Sequence, residues 1–256
     1  MRKLKVLALS SFLVLPLLVA AHAQAGYITG ELNGTTIDTI ISPGAWVTMN
    51  LGNGSTPSVL YKPGIVKWSL VATDSAIPHN FTAFCLELTQ DISPGVPYTY
   101  RLANLADAPN PGSAATGGAS GMGPVKANEI SQLWGAFHSS IGKNGTLAAA
   151  FQLDIWKIEY DWGDASFDQF SGGNFRATAY QGNTGPLAQA KIWLDDLKTN
   201  KYTPAVDLVA MTDPRVQDQL TELAPEPSTL TLLGIGLAGL AGYTWRLRRR
   251  KPPASV

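Results

Sequence analysis

One cysteine, Cys85, and three histidines are all the chain offers of the side chains that most often ligate metals or act as nucleophile and base. A single thiol excludes an internal disulfide. Two of the histidines, His79 and His138, lie in the body of the chain with no cysteine partner, so no zinc spacing exists. Asp161-Trp162-Gly163-Asp164 with Asp168 lacks the alternating ligands and closing glutamate of a calcium loop. The only approach to a G-x-S-x-G elbow, Gly118-Ala119-Ser120-Gly121, is out of register. No cofactor, no metal and no enzyme are expected, and a secreted hydrolase ranks last among function classes.

Charge is sparse at 15% of residues, and its formal sum is zero. That neutrality hides a division. Eight of the 19 Lys and Arg lie at the two ends, so the body, Gly26 to Ala224, holds 11 basic against 18 acidic residues, a net −7. An acidic body excludes nucleic acid as a partner, because phosphates recruit clustered Lys and Arg.

The basic ends carry their own message. Arg2, Lys3 and Lys5 precede the apolar run Val6 to Ala20 and two A-x-A sites ending at Ala23 and Ala25, so residues 1–25 read as a secretory signal peptide. At the other end, no charged side chain occurs between Glu226 and Arg246. As a helix that stretch rises about 28 Å, close to the hydrocarbon thickness of a bilayer. The expected transmembrane helix is 228–245, with Arg246, Arg248, Arg249 and Arg250 as a cytoplasmic basic stop. Gly234 to Gly239 also spells G-x-G-x-x-G, but without a preceding strand it reads as a small-residue helix face, not a dinucleotide site.

The three parts in succession, Pro225-Glu226-Pro227, an apolar helix and an Arg-rich end, resemble the PEP-CTERM sorting signal over 225–251. The resemblance implies export, recognition by an exosortase at the membrane, removal of the tail, and a place at the cell surface or in an extracellular polysaccharide matrix or biofilm.

Within 26–224 the first half alternates short β-type runs with turn residues. Strands are expected at Tyr27–Thr29, Thr35–Ile41, Ala45–Leu51, Gly64–Ala72, Phe81–Leu88 and Tyr98–Leu102, cut by Asn-Gly and Pro-Gly pairs. Asp107–Pro124 reads as an exposed loop. Ile130, Leu133, Trp134, Phe137 and Ile141 recur at helical spacing, which predicts a helix over Val125–Ile141. A second follows at Leu147–Tyr160, capped by Thr146. A polar, Gly-rich loop then runs to Thr184, a third helix begins at Pro186, and a last strand spans Val206–Met211. The fold class is α+β: one exported domain with an antiparallel β-sheet or sandwich and an inserted helical lobe.

Two segments stand out when taken together, Phe84-Cys85-Leu86 on a strand and Phe151-Gln152-Leu153-Asp154-Ile155-Trp156 on the second helix. Over 80–161 they resemble the paired signatures of bacterial thioester domains. The resemblance implies that the Cys85 sulfur and the Gln152 carboxamide form an internal thioester, with Phe84, Leu86, Phe151 and Trp156 as its dry shell; His79 and His138 are the histidines available to serve as a base. The same apolar flanks suit an inert core. The expected function is an exported surface or matrix binding protein that attaches covalently to polysaccharide or a surface protein. The alternative is a non-catalytic structural matrix protein with the same targeting.

Overall fold

The computed structural model describes residues 27–28, 47–51, 59–69, 80–93, 96, 98–109, 121–165, 167–205, 207–223, 235–243 and 246. The signal peptide, the strand expected at Thr35–Ile41, the Pro-Glu-Pro triplet and Arg248–Arg250 lie outside them.

Among the described residues, nine strands form two antiparallel sheets. The larger is built from β1 (Tyr27–Ile28), β4 (Val66–Ser69), β5 (Asn80–Cys85), β6 (Tyr100–Asn104), β8 (Leu208–Asp213) and β9 (Val216–Glu222), in the order β1-β6-β8-β9-β5-β4. The smaller joins β3 (Val59–Tyr61), β2 (Val47–Leu51) and β7 (Phe175–Ala179) in that order. Alternation sets which side chains go inward: in β4 Val66 and Trp68 are buried while Lys67 is exposed, and in β5 Phe81 and Ala83 are buried while Thr82 is exposed. Trp68 lies opposite Phe81 in the ladder and their rings stack at 6.4 Å.

Among the described residues, three α-helices are inserted between β6 and β8: α1 (Gly123–Ile141), α2 (Gly145–Asp161) and α3 (Gly185–Thr199). Proline in the first turn opens α1 and α3, where its missing N–H costs nothing. The start of α2 is fixed by Asn144, whose side chain accepts hydrogen bonds from the N–H groups of Thr146 and Leu147. Thr146, the expected cap, is instead inside the first turn. Every residue of α2 from Ala148 to Glu159 is buried, which no single-faced amphipathic helix would be. It is the axle of the domain, packed by α1, α3 and β7.

Several expected boundaries shift. Ala108 and Met122 belong to the core, although they were expected in an exposed loop, and Met122 N–H donates to the Ala108 carbonyl at 2.8 Å. The segment after Trp162, expected to be polar loop, contains β7 and buries Phe167 and Phe170. The stretch after β8 is itself a strand, β9.

In the tail, residues 235–243 and 246 are helical, with Ile235, Leu237, Leu240 and Tyr243 exposed. Among the described residues, no helix is long and apolar enough to cross a membrane; the remainder of the expected span 228–245 lies outside them.

Candidate functional site

The site grows from a gap in the sheet. β4 accompanies β5 only as far as the pair Val66–Ala83, so on that flank the main chain of Cys85 has no strand neighbour. A primary amide can take the place of a peptide group, offering one acceptor and one donor in the same plane. Gln152 of α2 does this: Cys85 N–H donates to Gln152 Oε1 at 2.7 Å, and Gln152 Nε2 donates to the Cys85 carbonyl at 2.7 Å. Both residues are buried, Gln152 completely. The two residues singled out in the sequence, 67 positions apart, are in direct contact.

The sulfur itself points elsewhere. On the other flank Phe84 pairs with Leu220, and Leu86 N–H donates to the Asp218 carbonyl at 2.9 Å. Between them Cys85 faces Gln219 across a pair without ladder hydrogen bonds of its own on that side, the kind in which side chains approach most closely. Gln219 Nε2 lies 3.6 Å from Cys85 Sγ and Gln219 Oε1 lies 3.8 Å from it. Burial pushes the thiol up to about 12, against the lowering effect of the Gln219 contact and with small additions from Asp91 and Glu87. At neutral pH the group is therefore a thiol, not a thiolate.

The four residues expected as a dry shell lie in the core, Phe84 on the face of the sheet opposite the Cys85 sulfur. Phe84, Leu86, Phe151 and Trp156 are fully buried, and the rings of Phe84 and Phe151 lie 4.9 Å apart. Trp156 meets Tyr61 at 5.6 Å and Phe175 at 5.9 Å. His138 stacks on Trp134 at 4.0 Å and lies 6.2 Å from Phe84. Successive strand residues face opposite sides, so its contact with Phe84 puts His138 across the sheet from the Cys85 sulfur, and it is not placed as that sulfur's base. Burial lowers its basicity to a pKa of about 4. His79 lies outside the described residues. Sequence reasoning missed Gln219, because β9 was not recognised as a strand.

Polar groups inside α2 mark the rest of the neighbourhood. Lys157 donates to Asp161 Oδ2 at 2.5 Å, to the Gly172 carbonyl at 2.8 Å and to the Phe175 carbonyl at 2.9 Å. Asp161 in turn accepts from the N–H groups of Asn174 and Phe175. Gly173, at φ +83°, passes so close that a Cβ there would meet Asp161 Oδ2 at 2.5 Å. Asp168 is bridged to Lys191 and Lys198 at the surface. Two of the acids considered for calcium, Asp161 and Asp168, are thus paired with lysines.

Asp154, two residues beyond Gln152, is fully buried with neither carboxylate oxygen hydrogen-bonded among the described residues, and burial raises its pKa well above the carboxylate range. Below about pH 4 the folded and unfolded chains both hold the proton. As the pH rises from there the unfolded chain releases it first, so stability falls by about 1.4 kcal/mol per unit until the folded pKa is passed. Asp154→Asn is therefore expected to stabilise the domain by about 1 kcal/mol or more at pH 7 and to change little near pH 3.5. Urea unfolding at both values checks this, and an equal change at the two would refute it.

Residues 223–250 match the family model described as the PEP-CTERM protein-sorting motif. No curated protein and no solved structure matches the chain.

Proposed function

We propose that this bearer of a PEP-CTERM sorting motif, which marks an exported protein for an exosortase at the membrane, is a cell-surface or extracellular-matrix binding protein that attaches covalently through an internal thioester of Cys85 and Gln152. The observation that carries the reading is the seating of the Gln152 carboxamide on Cys85 by two hydrogen bonds of 2.7 Å. Cys85 N–H points at the oxygen on which charge would develop when the amide carbon is attacked, the role of an oxyanion donor.

In the step, the Cys85 thiol leaves Gln219 and adds to Gln152 Cδ. The Sγ–Cδ bond forms, the Cδ–Nε2 bond breaks, and the thiol proton leaves with the nitrogen as ammonia. A lysine amine or sugar hydroxyl of a surface protein or polysaccharide then attacks Cδ, and the sulfur recovers a proton as it departs. The burial of Cys85 and Gln152 keeps water from the acyl group until that partner arrives.

A second reading, a non-catalytic structural matrix protein with the same targeting, is favoured by one observation: both polar atoms of Gln152 already satisfy the Cys85 main chain, as a purely architectural glutamine would. Intact mass separates the two. The thioester predicts a purified chain short by one ammonia, with the deficit absent from Cys85→Ala and the native thiol resistant to alkylation. A wild-type chain of full mass whose Cys85 is alkylated after unfolding leaves only the structural reading.

A further inference from the structure

A cleft of about 340 Å³ opens at the turn between β8 and β9, lined by Tyr98, Thr99, Asp213, Arg215 and Val216. We infer that it is a binding subsite for a neutral saccharide. Its chemistry is that of hydroxyl recognition. Arg215 Nε donates to Asp213 Oδ1 at 3.2 Å and Nη2 donates to Oδ2 at 3.1 Å, so guanidinium and carboxylate form a flat, preset plate of donors and acceptors. The Arg215 side chain is nevertheless 80% exposed, which leaves the rest of its fork to a ligand.

Beside the plate stands an aromatic wall. Tyr98 is half-buried and held by its ring contact with Trp68 at 6.3 Å, and its hydroxyl accepts from Ser93 N–H at 2.7 Å. The turn is braced as well, since Gln90 Nε2 donates to the Pro214 carbonyl at 3.0 Å. A fixed aromatic next to a preset polar plate suits the apolar face and vicinal hydroxyls of a sugar ring, at little ordering cost.

Two charges decide the class of sugar. Asp213 neutralises Arg215 locally, and the body as a whole carries a net −7, which repels a polyanion on approach. The cleft also sits on the cysteine side of the sheet. Leu102, Met211, Gln219 and Cys85 form one rung across four strands, and Tyr100, two residues from Leu102, shares their face and packs on Tyr98 at 6.3 Å. The saccharide would thus lie at the same end of the same face as the sulfur, although the proposal does not need the thioester to form.

The test is calorimetric titration of the detergent-solubilised full chain carrying Cys85→Ala, which removes any covalent capture. The probes are neutral hexasaccharides of glucose and of N-acetylglucosamine, with a hexagalacturonate as the anionic comparison. At least one neutral probe is expected to bind at millimolar concentration or below, with Arg215→Ala and Tyr98→Ala each weakening it about tenfold or more. Arg215→Ala carries the test alone should Tyr98→Ala fail to fold, since its side chain is exposed. Failure of every neutral probe, undiminished binding by Arg215→Ala, or tighter binding of the hexagalacturonate each overturns the proposal.

Discussion

Gln152→Ala is expected to lower the stability of the domain by about 3–5 kcal/mol, read from urea unfolding. The substitution strips the partner from a buried N–H and a buried carbonyl at Cys85, each worth about 1–3 kcal/mol when left unsatisfied, and opens a cavity beside α2 as well. Cys85→Ala provides the contrast. Measured against the chain in which the thioester has not closed, it keeps both main-chain hydrogen bonds and removes only a sulfur, so it is expected to cost roughly 1 kcal/mol. A Gln152→Ala loss no larger than that of Cys85→Ala would reject the idea that the glutamine stands in for a missing strand.

Lys157→Met is expected to cost a comparable 3–5 kcal/mol, roughly, because it strands the Asp161 carboxylate in the interior with no counter-ion. Three acceptors lose their donor together, including the carbonyls of Gly172 and Phe175 that lead into β7. Asp161→Asn on the Lys157→Met background removes the buried charge while keeping an oxygen for the N–H groups of Asn174 and Phe175. The double variant is therefore expected to be more stable than Lys157→Met alone. If both variants unfold at the same urea concentration, the charge is not what makes Lys157 necessary.

The sequence displayed those parts of the fold in which one face is apolar and the other wet. Ile130, Leu133 and Trp134 mark α1 by their spacing, and Val66 and Trp68 mark β4, since solvent on one side forces the alternation that a reader can see. β9 escaped notice for the opposite reason. Its buried residues include Gln217, Gln219 and Thr221, whose partners come from distant strands and loops, and Asp218, which accepts from the Asp213 N–H across the hairpin turn. Polarity that is satisfied inside a core is indistinguishable, in one dimension, from polarity that faces water. β7 was hidden by the glycines Gly172 and Gly173 before it, which serve the Lys157–Asp161 pair and not an open loop.

The candidate site was legible for the same kind of reason and incomplete for another. Cys85 and Gln152 carry a recognisable pattern of apolar flanks, and those flanks do place them in contact. What one dimension could not hold was orientation: whether the carboxamide would meet the sulfur or the main chain. That depends on β4 ending its pairing at Ala83, which opens one flank of Cys85, and on Gln219 arriving from 134 residues away to claim the thiol.

The place of β9 in the sheet has a consequence for the journey the sorting motif implies. β9 is the last of the described strands in the chain, yet it lies between β8 and β5, and the matched motif begins one residue after its end. In a chain that crosses a membrane from its N-terminal end, β5 and β8 emerge without the strand that joins them. The larger sheet cannot close until Glu222 has passed through. On the far side of the membrane, the final zipping of the domain therefore coincides with the arrival of the sorting motif at the membrane.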